Sequence, residues 1–456
     1  MKAPCIFLAI AALGLAGLQA AGPSPVEVRA NLAHPKVPAD KPFTTYLKVG
    51  LTGTEQPTAD KTSRPPVNVA IVLDRSGSMQ GPKLENAKLA AKEALQHLGA
   101  DDIVSIVTFD SQVDVVVPAT KLTDRDQVMK AIDTITARGN TALFGGVSKG
   151  AEELRKFKNP RQVNRVILLS DGQANVGPST PDELGRLGTS FSKEGITVTT
   201  LGLGLDYNES LMAQLASASD GNHAFINNPG ELAEVFNREL GDVLSVVAQD
   251  LRITIRCPEN VRPVRVLGRE ANIHGGTVEV AMNQLRARQD KYALLEVELP
   301  AGPVETDQLV GEVEVSYRAN TADKASVVQT RSVARRVKSE QDVDNTADKP
   351  ILIEVAKQIG AEKQLLAVKL SEQGKEKEAE KIFRDNSETL RRLGTLYKSD
   401  DLMGQGSFNT KLEKDQKAGG SAWEASKKAN RATVNSITTQ NTFQGTTTIT
   451  TPPARR

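Results

Sequence analysis

At 456 residues the chain has room for roughly two to four folded units, and its 39% hydrophobic and 25% charged residues exclude a collagenous or wholly disordered polymer. Lys and Arg at 57 against Asp and Glu at 56 leave a net charge of +1, so no global field gathers nucleic acid or an acidic membrane surface. Aromatics at 4% leave little surface on which single-stranded bases could stack.

The first segment, 1–20, has Lys2, an apolar run over 6–18, and then the small residues Ala20, Ala21 and Gly22. This is the pattern of a signal peptide cut near Ala20, and it predicts an exported product, periplasmic or secreted to the cell surface. No later stretch approaches the ~20 apolar residues that a membrane helix needs. Cys5 precedes the apolar run, where a lipidated cysteine would follow it, and after cleavage Cys257 stands alone, so stability is expected from packed cores rather than disulfides.

Over 24–55, Val26, Val28, Ala30 and Leu32 alternate, as do Leu47, Val49 and Leu51, which predicts half-buried strands. A linker with Pro57, Pro65 and Pro66 follows. Over 67–245, short apolar runs (67–73, 103–109, 113–117, 166–169, 196–203, 224–226) alternate with amphipathic stretches (83–98, 124–135, 143–157, 181–193, 209–217, 229–240). That order predicts a doubly wound, mostly parallel sheet with helices on both faces. The run 113–117 follows 103–109 so closely that it must turn back antiparallel.

Period-two alternation returns over 250–337, with Leu251, Ile253 and Ile255, then Val278, Val280 and Met282, then Val313, Val315 and Tyr317. Neither β segment has a complete core by itself, so the two are expected to form one all-β sandwich into which the α/β unit is inserted. Segment 348–398 reads as a helical hairpin broken at Gly374, and 400–456 as a disordered tail. Within that tail, residues 411–456 carry eight basic side chains against three acidic ones, Lys428 among them.

Three loops, each following a strand or leading into a helix, carry the residues with chemistry. The first is Asp74-Arg75-Ser76-Gly77-Ser78, the second Arg138-Gly139-Asn140-Thr141, and the third Ser170-Asp171-Gly172. Ligands of open α/β sheets bind outside the carboxyl ends of the strands, where such loops lie. Together they offer hydroxyls from Ser76, Ser78 and Thr141 and carboxylates from Asp74 and Asp171. All are hard oxygen donors, suited to Mg²⁺, Ca²⁺ or Mn²⁺ rather than zinc. An octahedral ion held this way has a coordination position to spare, and a carboxylate from another molecule would fill it. A plainer role, in which Asp74, Ser76 and Ser78 only cap the following helix, would not require Thr141 and Asp171.

From about 67 to 240 the chain resembles a von Willebrand factor type A domain, and the three loops match the metal-ion-dependent adhesion site of that family. The resemblance implies Asp74, Ser76 and Ser78 as first-loop ligands, Thr141 as the second-loop ligand and Asp171 as the third-loop ligand. The flanking β segments and export pattern are similar to proteins of the calcium-activated chloride channel and inter-alpha-trypsin inhibitor heavy-chain groups. If the family's switching behaviour carries over, movement of the last helix, 229–240, would tune partner affinity.

His34, His97, His223 and His274 form no H-E-x-x-H motif, and no base or nucleophile is evident beside the three loops. The expectation is therefore a non-enzymatic, exported adhesion-type protein that captures an Asp or Glu side chain of a protein partner through a bound divalent ion. The alternative is an envelope scaffold in which the ion only stabilises the fold.

Overall fold

The computed structural model describes residues 24–55, 66–159, 162–320 and 324–441. The expected signal peptide and most of the proline linker lie outside the described residues.

Three strands open the described chain: β1 (Val26–Leu32), β2 (Lys36–Pro38) and β3 (Phe43–Gly53). The α/β unit follows with β4 (Val67–Asp74), α1 (Pro82–Gln96), β5 (Ile103–Phe109), β6 (Val113–Lys121), α2 (Arg125–Asp133) and α3 (Leu143–Arg155). It is completed by β7 (Val163–Ser170), α4 (Pro181–Lys193), β8 (Ile196–Leu203), α5 (Glu209–Ala218), β9 (His223–Ile226) and α6 (Leu232–Leu244). Its six strands lie in the order β6-β5-β4-β7-β8-β9, with β6 alone antiparallel.

Every residue of β4, β5, β7 and β8 is buried, as a sheet covered on both faces requires. Along β4 the side chains alternate between two cores. Val69, Ile71 and Leu73 pack with α1, α2 and α6, while Ala70 and Val72 pack with α3, α4 and α5. Each large apolar side chain so buried contributes about 1.5–3 kcal/mol. The chain leaves β4 towards β5 on one side and reaches β7 on the other, so the strand order reverses at β4 and opens a crevice at the carboxyl ends of β4 and β7.

Strands β10 (Val246–Arg256), β11 (Arg262–Leu267), β12 (Asn272–His274), β13 (Thr277–Arg286), β14 (Asp290–Leu299), β15 (Asp307–Ala319) and β16 (Ala325–Val337) follow. β14 pairs with β3 from Asp290↔Thr52 to Leu299↔Phe43, giving the sheet β1-β3-β14-β11, and the other strands form β12-β13-β10-β15-β16-β2. Leu47, Val49 and Leu51 from the first sheet share one core with Ile253, Ile255, Val280, Val313 and Val315 from the second. The α/β unit is thus inserted between β3 and β10 of a two-sheet sandwich, and Ser245 alone separates α6 from β10.

The C-terminal region departs from the expectation. After α7 (Glu340–Thr346), helices α8 (Lys349–Glu372) and α9 (Glu376–Tyr397) form the predicted pair, but two more follow, α10 (Asp400–Ala418) and α11 (Gly420–Thr439). The expected disordered tail over 400–456 is therefore helical from Asp400 to Thr439, while 442–456 lies outside the described residues. Polar side chains fill much of the space between these helices. Asn386 donates to Asn409 Oδ1 and to the Gly360 carbonyl, both at 3.0 Å, and Ser387 donates to the Gly406 carbonyl at 2.8 Å. Lys428, counted above as tail charge, is buried, donates to Glu209 and the Tyr207 carbonyl at 2.8 Å, and stands over the Tyr207 ring. α11 thereby docks on α5 and β9 of the α/β unit.

Candidate metal site

β4 ends at Asp74, and the chain turns at once because the Ser76 amide donates to Asp74 Oδ1 at 2.7 Å. A short 3-10 turn, Gly77–Met79, follows, anchored by the fully buried Met79. Gly81, at φ 83°, then reverses the chain into Pro82, the first residue of α1, where a missing amide hydrogen costs nothing. The turn sets two hydroxyls side by side, with Ser76 Oγ 3.1 Å from Ser78 Oγ. Ser78 Oγ also donates to Asp171 Oδ1 at 2.7 Å, joining the first loop to the third.

The second loop is laced to the first through its backbone. The Arg138 amide donates to the Arg75 carbonyl at 2.7 Å and the Gly77 amide to the Gly139 carbonyl at 3.0 Å. Gly139 has φ 69°, and a Cβ there would fall 2.9 Å from Ser111 Oγ, so only glycine allows the approach. Thr141 is buried, and its amide donates to Asn175 Oδ1 at 2.9 Å. A Cβ placed on Gly172 would lie 2.9 Å from Thr141 Oγ1 and 3.5 Å from Ser78 Oγ, which locates the hydroxyls of both loops over the start of the third. Asp74, Ser76, Ser78, Thr141 and Asp171 are therefore drawn together at the crevice. Asp74 and Asp171 are fully buried, while Ser78 is exposed and marks the mouth.

Several participants escaped the sequence reading. Ser170 donates to Asp74 Oδ2 at 2.5 Å, holding the other carboxylate oxygen in place. It stands beside Asp171 at the end of a buried strand, a position that could have singled it out. Lys83, on the first turn of α1, pairs with Asp171 Oδ2. Asp110, at the end of β5, receives the Arg75 guanidinium at 2.8 Å and the Arg138 guanidinium at 2.9 Å, and both arginines also reach Asp114. Burial works against the charge of Asp110, but the two guanidinium groups hold its carboxyl below the usual range. This cluster braces the first and second loops against each other.

Asp74 has a different environment. Among the described residues no cationic side chain pairs with it, and burial pushes its carboxyl up to about 6 despite the hydrogen bonds from Ser170 and Ser76. An uncompensated buried carboxylate beside three hydroxyls and a second carboxylate is a donor set that fits a hard divalent cation. Among the described residues no group of three or more His, Cys, Asp or Glu side chains is arranged to hold a metal ion. Cys257 is half-buried, and burial pushes its thiol up to about 11, away from nucleophilic character. His223 is buried and held neutral, its pKa down to about 3 chiefly through burial.

The profile of the von Willebrand factor type A domain family matches residues 68–238. An uncharacterized protein, sll0103, of Synechocystis sp. is 29% identical over 268 residues, covering 57% of this chain and 63% of that protein. The inter-alpha-trypsin inhibitor heavy chain H3 of Bos taurus is 29% identical over 165 residues, covering 34% of this chain and 18% of that protein. The chain thus spans less than two thirds of either relative. Among solved structures, a von Willebrand factor type A protein from Catenulispora acidiphila superposes with a TM-score of 0.67 at 17% identity, covering 85% of this chain and 89% of that one, which shows a shared fold. Domains of this kind generally mediate metal-dependent protein interactions. Residues 68–238 form a von Willebrand factor type A domain.

Proposed function

We propose that the chain is a non-enzymatic, exported binding protein whose Asp74, Ser76, Ser78, Thr141 and Asp171 hold Mg²⁺, or Ca²⁺ or Mn²⁺ in its place, and capture an Asp or Glu carboxylate of a protein partner. The observation that carries this reading is the meeting of three loops, far apart in sequence, at one crevice. Ser78 and Asp171 are hydrogen-bonded across it, and the Thr141 and Ser78 hydroxyls both lie over Gly172 at the start of the third loop. When bound, the ion supplies a Lewis-acidic position that a ligand carboxylate can occupy.

The chain's own residues prepare that capture. Ser170 and the Ser76 amide fix the two oxygens of Asp74, so the carboxylate is held before any ligand arrives. The Asp110 cluster fixes the second loop against the first, which keeps the Thr141 hydroxyl within the set. Burial of Asp74, Asp171, Ser76 and Thr141 excludes water and strengthens the electrostatics, while exposed Ser78 leaves a way in.

Titrating Mg²⁺ into the full chain by calorimetry tests the reading: saturable binding is expected, and Thr141→Ala should weaken it. If the first loop only caps α1, Thr141→Ala leaves the titration unchanged and the cation reading fails. Export rests on the pattern of residues 1–20. N-terminal sequencing of the product from the cell envelope should find a chain starting just after Ala20, and an intact Met1 in the cytoplasm would reject it.

A further inference from the structure

Lys83 is the charge that the donor set does not explain. It sits on the first turn of α1, and its ammonium reaches across the crevice to Asp171 Oδ2, while Ser78 occupies Asp171 Oδ1. The Asp171 side chain has no exposed surface and that of Lys83 is 28% exposed, so the pair is only partly screened by water. The turn after β8 passes close by: Gly204 has φ 75°, and a Cβ there would lie 4.0 Å from the Lys83 Nζ, in ordinary contact. The other cations at the rim are already balanced, because Arg75 and Arg138 share Asp110 and Asp114, two guanidinium groups on two carboxylates.

The charge count follows from these contacts and rests on the cation reading above. Two carboxylates cancel a divalent ion, and a site so composed has no net attraction for an anion. Lys83 restores one positive charge through its contact with Asp171. We propose that Lys83 determines the ligand specificity of the site: it weakens the hold on the ion and strengthens the ion-loaded site's hold on a carboxylate. The same side chain therefore acts in opposite directions on the two binding steps. A residue that merely supported the α1 turn would move both steps the same way, or neither.

Calorimetric titration of Mg²⁺ into the full chain and its K83M and K83R variants reads the first step. Removing one charge beside a buried carboxylate is expected to tighten Mg²⁺ about tenfold in K83M, while K83R stays within about threefold of wild type. The second step is read by titrating acetate into Mn²⁺-saturated protein and following water-proton relaxation, which falls as acetate displaces bound water. K83M should weaken acetate by about fivefold or more, and K83R should not.

Unchanged or weaker Mg²⁺ binding in K83M overturns the proposal, as does tighter Mg²⁺ with unchanged acetate. If wild type itself binds neither Mg²⁺ nor Mn²⁺, the cation reading fails and this inference falls with it. Wild-type binding with no tightening in K83M removes the inference alone. Binding that is lost in both K83M and K83R would show that the lysine has a structural role, and would likewise reject it.

Discussion

At the carboxyl edge of the sheet Asp74 is buried with no cationic side chain against it among the described residues, whereas Asp220, in the turn before β9 at the opposite edge, is 9% exposed and fully paired. Asp220 accepts the Arg269 guanidinium at 3.0 Å, the Lys291 ammonium at 2.9 Å and the Asn283 amide at 2.9 Å. Arg269 also donates to the Thr439 carbonyl at 2.7 Å, so α/β unit, sandwich and α11 meet on this one carboxylate. Burial works against its charge too, yet the two cations outweigh it and hold the carboxyl down to about 2. Two aspartates of similar burial thus move in opposite directions. Where the chain cancels the charge itself, the residue ties units together; where it leaves the charge uncancelled, burial raises the carboxyl, a shift that the external cation proposed for the site would reverse.

The sharpest way to break this contrast is to remove each carboxylate in turn. Asp220→Ala strands Arg269 and Lys291 in the interior, and loss of one partner of a buried ion cluster costs about 3–5 kcal/mol. Denaturant unfolding should show that loss at any Mg²⁺ concentration, and a variant within about 1 kcal/mol of wild type would deny the junction its role. Asp74→Asn should do the reverse. The ion-free variant is expected to be at least as stable as wild type, because an unpaired buried charge has gone. Its Mg²⁺ affinity should fall by more than about a hundredfold, since loss of outer partners of a metal ligand alone costs 10–100-fold. An Asp74→Asn protein that unfolds like Asp220→Ala would erase the distinction.

Acid sharpens the same comparison with a smaller effect. The folded Asp220 carboxyl lies near 2, below its ordinary 3.8, so the folded state binds fewer protons there than the unfolded chain. Its contribution, about 2 kcal/mol by linkage, is complete above about pH 4 and disappears as pH falls towards 2. Stability measured against pH should decline across that window in wild type and decline less in Asp220→Asn. Parallel curves would show that the junction does not carry the acid sensitivity.

The site was legible in the sequence to a greater degree than the molecule around it. Asp74, Ser76 and Ser78 lie within five positions, and Thr141 and Asp171 stand at strand and helix boundaries that hydrophobic periodicity locates well. The insertion into a sandwich was legible too, because Val26–Leu32 and Phe43–Gly53 alternate without a core of their own. Lys83, Ser170 and Asp110 were not, since each acts through a partner 28 or more positions away in another segment of the chain, and a lysine or serine looks the same paired or solvated. The final helices failed for a physical reason. In α10 and α11, Gln405, Asn409, Ser426 and Lys428 are buried among a few apolar side chains such as Leu402, Phe408 and Leu412, and an interior so rich in polar groups leaves only a weak apolar period to read.

The smallest effect concerns a methyl group. Gly172 does not adopt a left-handed conformation, so alanine there strains no backbone, but its Cβ would stand 2.9 Å from Thr141 Oγ1 and 3.5 Å from Ser78 Oγ. Thr141 is β-branched and buried, so its hydroxyl must shift with little freedom to do so. Gly172→Ala is expected to weaken Mg²⁺ by about threefold to tenfold in a calorimetric titration, through the second loop alone, because a small displacement of a ligand erodes a preorganised site. Gly404 supplies the control. It lies within α10 with nothing within 4 Å of a Cβ, so Gly404→Ala should leave the titration unchanged and raise stability by up to about 1 kcal/mol. If both alanines leave Mg²⁺ binding unchanged, the Thr141 hydroxyl does not touch the ion's coordination sphere, and the donor set shrinks to the first and third loops.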